Sequence, residues 1–214
     1  SHRALSEHKT LSISWSHYPS IGGAGVYGEN FTLNNNGSVW GGDGYNGGVA
    51  VSGNEILIRN YRNVYGGNGL GGSGSSGGAG LSGDDIIVDN YRSIYGGDDV
   101  GGTGGSGVTG SNITVHNSGG ILGGNGVNGG DGINGSNLFI TNDNMISGGY
   151  GIKQGGDAIS GNQITLNNNG IVQGGYGPDG GCSVYGEDIH INNHGNLSGL
   201  YNSQKDAYNT SIIF

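Results

Sequence analysis

The chain has 214 residues, of which 53 are glycine and 2 are proline, and its formal net charge is −9. Glycine at this level is typical of low-complexity chains. However, charged residues make up 11% and apolar residues 32% of the chain, which is not the composition of a self-repelling disordered chain. The negative charge disfavours a nucleic-acid partner. The single cysteine, Cys182, excludes an internal disulfide, and no apolar run is long enough for a membrane-spanning helix.

A repeat unit occurs seven times, at steps of 25 to 30 residues. Its centre is an apolar pair separated by one residue: Phe31/Leu33, Ile56/Ile58, Ile86/Val88, Ile113/Val115, Leu138/Ile140, Ile164/Leu166 and Ile189/Ile191. Each copy has a glycine three residues before the pair and an apolar residue five before it. An asparagine follows two residues after the pair, and another apolar residue six after it. Glycine-glycine then closes the first six copies. Connectors absorb all the length variation, and the longest of them, residues 68–80, is expected to protrude as a flexible loop.

The apolar residues of each copy predict three short β-strands, since they have period-2 spacing and no sustained helical period. In the first copy, these strands centre on Val26, on Phe31–Leu33 and on Val39. A single copy cannot bury so few side chains, but stacked copies can. The sequence therefore predicts an all-β fold, a right-handed parallel β-helix of triangular section with about seven to eight rungs of 25–30 residues. The rungs would be about 4.8 Å apart.

The predicted organisation has three parts. Residues 1–24 form an N-terminal cap or an atypical first rung, in which Ile13, Trp15 and Ile21 keep the apolar spacing. Residues 25–200 form the seven-rung helix. Residues 201–214 begin a further rung, with Ile212 and Phe214 as its apolar pair. This last part indicates an excerpt of a longer protein.

The recurring asparagines and glycines are interpreted as structural rather than functional. Asparagines in equivalent corners can form a hydrogen-bonded ladder and tolerate a left-handed backbone. The glycine before each main strand is expected where a Cβ atom would clash. The predicted ladder consists of Asn35, Asn60, Asn90, Asn117, Asn142, Asn168 and Asn193.

Copies such as GVYGENFTLNNNGSVWGGDG (25–44) and AISGNQITLNNNGIVQGGYG (158–177) resemble the β-helical passenger repeats of Gram-negative autotransporters and related large surface adhesins. The resemblance covers about residues 11–214. It implies secretion across the outer membrane and exposure on the cell surface. It also implies a parent chain that carries an outer-membrane β-barrel, while this segment does not insert into the membrane. The fold serves adhesins, self-associating proteins, proteases and toxins, so the resemblance leaves function open.

A doubled motif, NYRNVYGGNG (60–69) and NYRSIYGGDD (90–99), places aromatic and basic residues on adjacent rungs. By alternation, Trp40, Tyr65 and Tyr95 face outward as one strip. The same rungs carry further candidates for binding glycan or protein: Tyr61, Tyr91, Arg59, Arg62 and Arg92. Flat rings and guanidinium forks suit sugars and carboxylates. The alternative is that like residues stack on like only to stabilise the coil.

The acidic residues give a weaker signal. Asp84, Asp85, Asp98 and Asp99 supply hard oxygen ligands and are candidates for calcium, but solvated corners are the simpler interpretation. No cofactor and no catalytic residue are predicted. The connectors are short, which does not predict the deep cleft of an enzyme. A polysaccharide lyase or hydrolase on a β-helix is therefore kept only as the alternative to a non-enzymatic protein.

The sequence thus favours a non-enzymatic adhesive module. Its expected partners are host or bacterial surface glycans or proteins, or a second copy of itself in trans. Such contacts would promote cell adhesion, aggregation and biofilm formation. A structural stalk with no ligand of its own is the remaining alternative.

Overall fold

The structure is a computed structural model, and it describes Arg3–Leu5, residues 21–199 and Thr210–Ile213. All regular structure in these parts is β-strand, and every strand pairing is parallel. The described residues contain no helix that could cross a membrane. The chain is a parallel β-solenoid of about seven turns, as the repeat predicts. The right hand of the coil stays a prediction.

The strands lie in three sheets. The first sheet contains Arg3–Leu5, Val26–Tyr27, Phe31–Asn35, Val51–Ser52, Ile56–Asn60, Leu81–Ser82, Ile86–Asn90, Val108–Asn117, Ile133–Asn142, Ile159–Asn168, Val184–Asn193 and Thr210–Ile213. The second sheet contains Val39–Trp40, Val64–Tyr65, Ser93–Tyr95, Gly120–Leu122, Met145–Ser147, Ile171–Gln173 and Asn196–Ser198. The third sheet contains Asp99–Thr103, Gly126–Asn128 and Gly151–Gln154.

The register of these sheets confirms the alignment of the seven copies. Ile56 pairs with Ile86, Ile86 with Ile113, and Ile113 with Leu138. The inward apolar residues of the first and second sheets form one continuous hydrophobic core along the rod. Most of them are completely buried. Each rung therefore contributes a few aliphatic side chains, and stacking removes them from water together.

The first sheet bends once in every rung, one residue before the main strand. The residues at the bend all have left-handed backbones, with φ between 51° and 56°: Asn30, Glu55, Asp85, Asn112, Asn137, Gln163 and Asp188. The left-handed backbone conformation therefore occurs at this bend, and not at the asparagines of the ladder as the sequence had suggested. The preceding glycines lie against the rung before them. A Cβ atom on Gly53 would lie 1.6 Å from the carbonyl oxygen of Gly28, which confirms the predicted clash.

The asparagine ladder is present along the whole rod. Each side-chain amide nitrogen, from Asn35 to Asn168, donates to the Oδ1 atom of the next asparagine at 2.7 to 2.8 Å. Five of its members, from Asn60 to Asn168, are 1% exposed or less. Buried amides require such partners, because an unpaired one costs about 1–3 kcal/mol. The structural interpretation of these residues is confirmed.

A second glycine pair in each connector changes the shape of the coil. The Gly-Gly pair that follows each strand of the second sheet lies against the Gly-Gly pair of a connector. The two segments are in contact backbone to backbone. Twelve hydrogen bonds of 2.7 to 3.0 Å run through alternate glycines as one chain, from Gly42 N–H to Gly23 O and on to Gly181 N–H to Gly175 O. We call this contact the glycine waist: Gly23, Gly42, Gly48, Gly67, Gly78, Gly97, Gly105, Gly124, Gly130, Gly149, Gly156, Gly175 and Gly181, with the glycines beside them.

The waist divides each rung into a main lobe, which holds the core, and a small lobe between the two glycine pairs. The small lobes stack as the third sheet and as bridges such as Gly44 with Gly69 and Gly69 with Asp99. The connectors are therefore part of the coil. The longest one, residues 68–80, was expected to protrude as a flexible loop, and this is wrong for its ends, because Gly69 and Ser76 pair with neighbouring rungs.

The two ends differ from the simple pattern. Arg3–Leu5 pairs with Phe31–Leu33, while Ile13 and Trp15 lie outside the described residues. Ile21 forms a bridge with Asn46, so Ile21-Gly22-Gly23 enters the waist instead of the core. At the other end, Thr210 pairs with Ile189 and Ile212 with Ile191. The eighth rung is thus shifted by two residues from the predicted register, which had placed Ile212 and Phe214 as the apolar pair.

The waist leaves no room for a side chain, so Gly97→Ala is expected to destabilise the fold by about 3 kcal/mol. A Cβ atom there would lie 1.9 Å from Gly67 O. Chemical unfolding monitored by circular dichroism measures the effect. The control is Gly72→Ala, because a Cβ atom at Gly72 meets nothing within 4 Å, and its effect should stay within about 0.5 kcal/mol. Equal stability of the two variants would contradict the proposed packing.

Candidate binding groove

The aromatic residues of the predicted strip form a wall on the outer face of the second sheet. Trp40 pairs with Tyr65, and Tyr65 with Tyr95, in register. The ring centroids are 3.9 Å apart for the first pair and 5.0 Å for the second, with interplanar angles of 17° and 4°. We call Trp40, Tyr65 and Tyr95 the aromatic wall. Leu122 continues it on the next rung.

The stacking determines which ring surfaces a ligand can reach. Both faces of Tyr65 are covered, one by Trp40 and one by Tyr95. A ligand beside the wall therefore meets ring edges and hydroxyl groups instead of open faces. The Tyr65 hydroxyl accepts a hydrogen bond from the Asn63 side chain at 2.6 Å, which leaves its own proton available. The stack also stabilises the coil, as the structural alternative proposed.

A groove runs along the rod beside the aromatic wall. Its floor is the glycine waist, from Gly41 to Gly149, and its volume is about 1760 Å³. The opposite side is formed by the first residues of the small lobes, Asp43, Asn68, Asp98 and Asn125. Glycine at the floor lets the backbone segments meet closely, because a Cβ atom on Gly41 or Gly66 would lie 2.0 Å from the carbonyl oxygen of the facing segment. No lysine, arginine or histidine of the described residues lines the groove.

The four polar residues of this side form the Asp–Asn wall. The Oδ1 atom of each residue accepts the backbone N–H of the next rung, at 2.6 Å for Asp43 to Asn68 and 3.1 Å for Asn68 to Asp98. Asp98 and Asn125 continue the ladder at 2.7 and 2.9 Å. The second carboxylate oxygens and the amide nitrogens have no hydrogen-bond partner among the described residues. The wall thus presents acceptor, donor, acceptor and donor on four successive rungs.

Sequence reasoning missed the Asp–Asn wall and the groove. All four residues follow a Gly-Gly pair directly, so their recurrence could have been read from the sequence. Their placement opposite the aromatic wall could not. It depends on the second glycine pair, which brings the connector back against the chain.

The other predicted binding residues lie at a different place. Tyr61 and Tyr91 follow the asparagine ladder at the corner between the first and second sheets. Their rings stack with centroids 5.1 Å apart and an interplanar angle of 2°. Neither these tyrosines nor Arg62 and Arg92 line the groove. The structure therefore divides the predicted binding residues between two separate surfaces.

Arg59 differs from the other two arginines. It lies on the outer face of the first sheet, in register with Asp89, and the two side chains form an ion pair at 3.6 Å. The other carboxylate oxygen of Asp89 lies 3.0 Å from His116 Nδ1. Arg62 and Arg92 are exposed and form no ion pair within the described residues. Of the three predicted arginines, these two are therefore the ones without an ion pair in the described part of the chain.

The four calcium candidates are not brought together. Asp84 and Asp85 lie at the bend of the first sheet, where they accept hydrogen bonds from Ser111 N–H and the Asn112 side chain. Asp98 and Asp99 lie in the small lobe. Within the described ranges, no group of three or more acidic, histidine or cysteine side chains is placed to hold a metal ion.

Asp99 fills the interior of the small lobe, where neighbouring rungs have glycine. It is 1% exposed. Its Oδ1 atom accepts the N–H groups of Gly101 and Gly102, both at 2.9 Å. Its Oδ2 atom is buried without a hydrogen-bond partner and occupies the space that a Cβ atom on Gly69 would need. Asp99 is thus a buried packing residue and not a surface ligand.

A cluster around Asp131 was also not predicted. Its carboxylate accepts hydrogen bonds from Asp157 N–H, the Asn134 side chain and the Ser160 hydroxyl. Burial raises the pKa of Asp131 above its ordinary value of 3.8, and the neighbouring Asp157 carboxylate raises it further, while the hydrogen bonds act in the opposite direction.

An exposed apolar ridge runs along the tip of the small lobes. It consists of the residues that follow the paired positions of the third sheet: Tyr45, Leu70, Val100, Val127 and Ile152. Leu70 is 71% and Val100 is 85% exposed, whereas Val127 is half-buried. Five apolar side chains in line on a surface otherwise rich in glycine and polar residues are typical of an interaction surface.

Comparison of the chain with family models, with characterised proteins and with solved structures returned no significant match. Its function is therefore argued from its own residues.

The raised pKa of Asp131 predicts a pH dependence of stability. The folded state binds this proton more tightly than the unfolded state. The contribution of Asp131 therefore favours folding below pH 3.8 and is lost as the pH rises through the folded-state pKa. Urea unfolding of the wild type and Asp131→Asn, at about pH 7 and about pH 4.5, tests this. The difference in unfolding free energy should move in favour of the wild type at the lower pH. A difference that does not change with pH would contradict it.

Proposed function

We propose that the chain is a non-enzymatic adhesive module of a bacterial surface protein of the autotransporter type, and that its groove binds an extended neutral glycan. The proposal rests on the groove between the aromatic wall and the Asp–Asn wall. Sugar hydroxyls both donate and accept hydrogen bonds, and the alternating donors and acceptors of the Asp–Asn wall match them. The oxygen atoms of a sugar would lie against the ring edges of the aromatic wall, because the edge of an aromatic ring is its positive part.

The rung spacing favours a long ligand. Successive rungs repeat at about 4.8 Å, which is close to the spacing of sugar rings in an extended polysaccharide. A chain lying along the rod would thus meet a similar set of groups at each ring. Many weak contacts of this kind add up over several rungs. Asp43 and Asp98 are the charged residues among the described residues that line the groove, which disfavours an anionic glycan there.

Cleavage of the glycan is less well supported than binding. Glycoside hydrolysis uses two carboxyl groups on either side of the bond that breaks. Asp43 and Asp98 both lie on the Asp–Asn wall, two rungs apart, so both would contact the same side of a bound chain. A lyase needs a base, and within the part of the chain that the structure describes, neither lysine, arginine nor histidine lines the groove. We therefore favour adhesion over a polysaccharide hydrolase or lyase.

The groove proposal predicts loss of neutral-glycan binding when the aromatic wall is removed. The variant is Trp40→Ala/Tyr65→Ala/Tyr95→Ala, tested on a glycan array and by titration calorimetry. Loss of the ring edges should weaken binding about tenfold or more, since each 1.4 kcal/mol is a factor of ten. The matched control is Tyr61→Ala/Tyr91→Ala, which removes the other aromatic stack, and circular dichroism checks the fold of both.

Equal loss in the two variants would mean that stacking supports the fold and does not form the site. Absence of neutral-glycan binding by the wild type would leave self-association or a structural stalk as the function. Release of reducing or unsaturated sugar during the titration would favour the enzyme alternative.

Self-association is a second candidate function, and the apolar ridge favours it. The ridge itself carries no charge, whereas the chain as a whole carries −9. Two copies would repel each other least where they meet through uncharged surface. Their equal rung spacing would let the ridges align side by side.

The ridge proposal predicts that Val100→Ser/Ile152→Ser lowers the association of the chain in analytical ultracentrifugation. The control is Ile87→Ser/Phe139→Ser on the outer face of the first sheet, where the two residues are 46% and 51% exposed. Association should weaken in the ridge variant and persist in the control. A wild type that is monomeric at all concentrations, or equal loss in both variants, would contradict it.

A further inference from the structure

The corner formed by Tyr61, Tyr91, Arg62 and Arg92 is separate from the groove and has the opposite charge. Of the four lysines and arginines in residues 21–199, three lie in these two rungs, and the fourth is Lys153. Arg59 is neutralised by Asp89. Arg62 and Arg92 therefore form a small positive surface on an acidic protein.

The two arginines occupy the same position of neighbouring copies. Equivalent Cα atoms on adjacent rungs are about 4.8 Å apart. Their guanidinium groups can therefore come close to each other, and like charges at short range repel. No carboxylate of the described residues forms an ion pair with either arginine. An anion held between the two guanidinium groups would remove this repulsion and accept hydrogen bonds from both.

The tyrosines beside the arginines give the corner a rigid apolar surface. Tyr61 and Tyr91 are 45% and 52% exposed and stack with their rings nearly parallel. The corner is bounded by small residues on both sides. The preceding rung has Asn36 and Gly37, and the following rung has Ser118 and Gly119.

The backbone of this corner requires a glycine at position 119. Gly120 N–H donates to Arg92 O at 2.7 Å. A Cβ atom on Gly119 would lie 1.7 Å from the same oxygen. The backbone that carries Arg92 is thus fixed by the next rung, and the approach to its guanidinium group from that side is open.

We propose that this corner is a second binding site, which takes a carboxylate or sulfate group of an acidic polysaccharide. The guanidinium forks of Arg62 and Arg92 hold the anionic group, and the edges of Tyr61 and Tyr91 contact the sugar that carries it. The groove does not share this specificity, because its charged side chains are acidic. One rod therefore offers a neutral-glycan surface and an anionic-glycan surface on different sides.

Binding to immobilised polygalacturonate, heparin and a neutral polysaccharide, at low and high salt, tests the site. The wild type should bind at least one of the two anionic polymers in a salt-dependent manner, and the two arms distinguish carboxylate from sulfate. Arg62→Gln/Arg92→Gln should lower that affinity at least tenfold. Arg59→Gln is the matched control and should retain it, since Arg59 already pairs with Asp89. Arg62→Lys/Arg92→Lys separates recognition by the forks from attraction by charge alone.

The proposal is overturned if the wild type binds neither anionic polymer at low salt, or if Arg59→Gln loses as much affinity as the double variant. Binding of polyglutamate without binding of either polysaccharide would show an acidic protein partner instead. Unfolding curves of all variants exclude loss of fold as the cause. The aromatic-wall variant should keep anionic binding, so failure of this site and failure of the groove proposal give different results.

Discussion

The architecture depends on the close contact of two backbones at the glycine waist. Hydrogen bonds pass from rung to rung through alternate glycines, and Cβ atoms on Gly97 or Gly149 would each lie 1.9 Å from a carbonyl oxygen. The waist closes the hydrophobic core on one side without any side chain. It also folds the connectors into a small lobe, so that a chain one quarter glycine becomes an ordered rod.

Two kinds of column run along this rod, and they have different consequences. The buried ones, such as the asparagine ladder and the aliphatic core, repeat nearly unchanged, because each member needs the same partner above and below. The exposed ones change from rung to rung. The aromatic wall, the Asp–Asn wall and the tyrosine–arginine corner occur mainly in the first rungs, and this is where the surface chemistry is concentrated.

The opposite charges of the two candidate surfaces suit a protein that meets mixed polysaccharides. The groove is walled by Asp43 and Asp98, which would repel an anion. The corner carries Arg62 and Arg92, which form no ion pair within the described residues and would attract one. Because the two surfaces lie on different sides of the rod, the charge of one does not restrict the ligand of the other. The apolar ridge at the tip of the small lobes adjoins the groove, since Tyr45 and Leu70 also line it, and it is suited to contact between copies.

The sequence by itself determined the coil, its period, the strands that carry the core residues and the asparagine ladder. It could do so because each of these needs only one residue type at one position in every copy, and pairing in register follows from equal spacing. It did not determine the groove, the small lobe or the separation of Trp40, Tyr65 and Tyr95 from Tyr61, Tyr91, Arg62 and Arg92. The groove and the small lobe arise where connectors of unequal length fold back against the chain. These segments carry no apolar pattern, so only the tertiary structure decides how their backbones meet. The physical reason is that glycine has no side chain whose character could indicate what it packs against. The waist is a contact between backbones, and the sequence shows only that no side chain is present there.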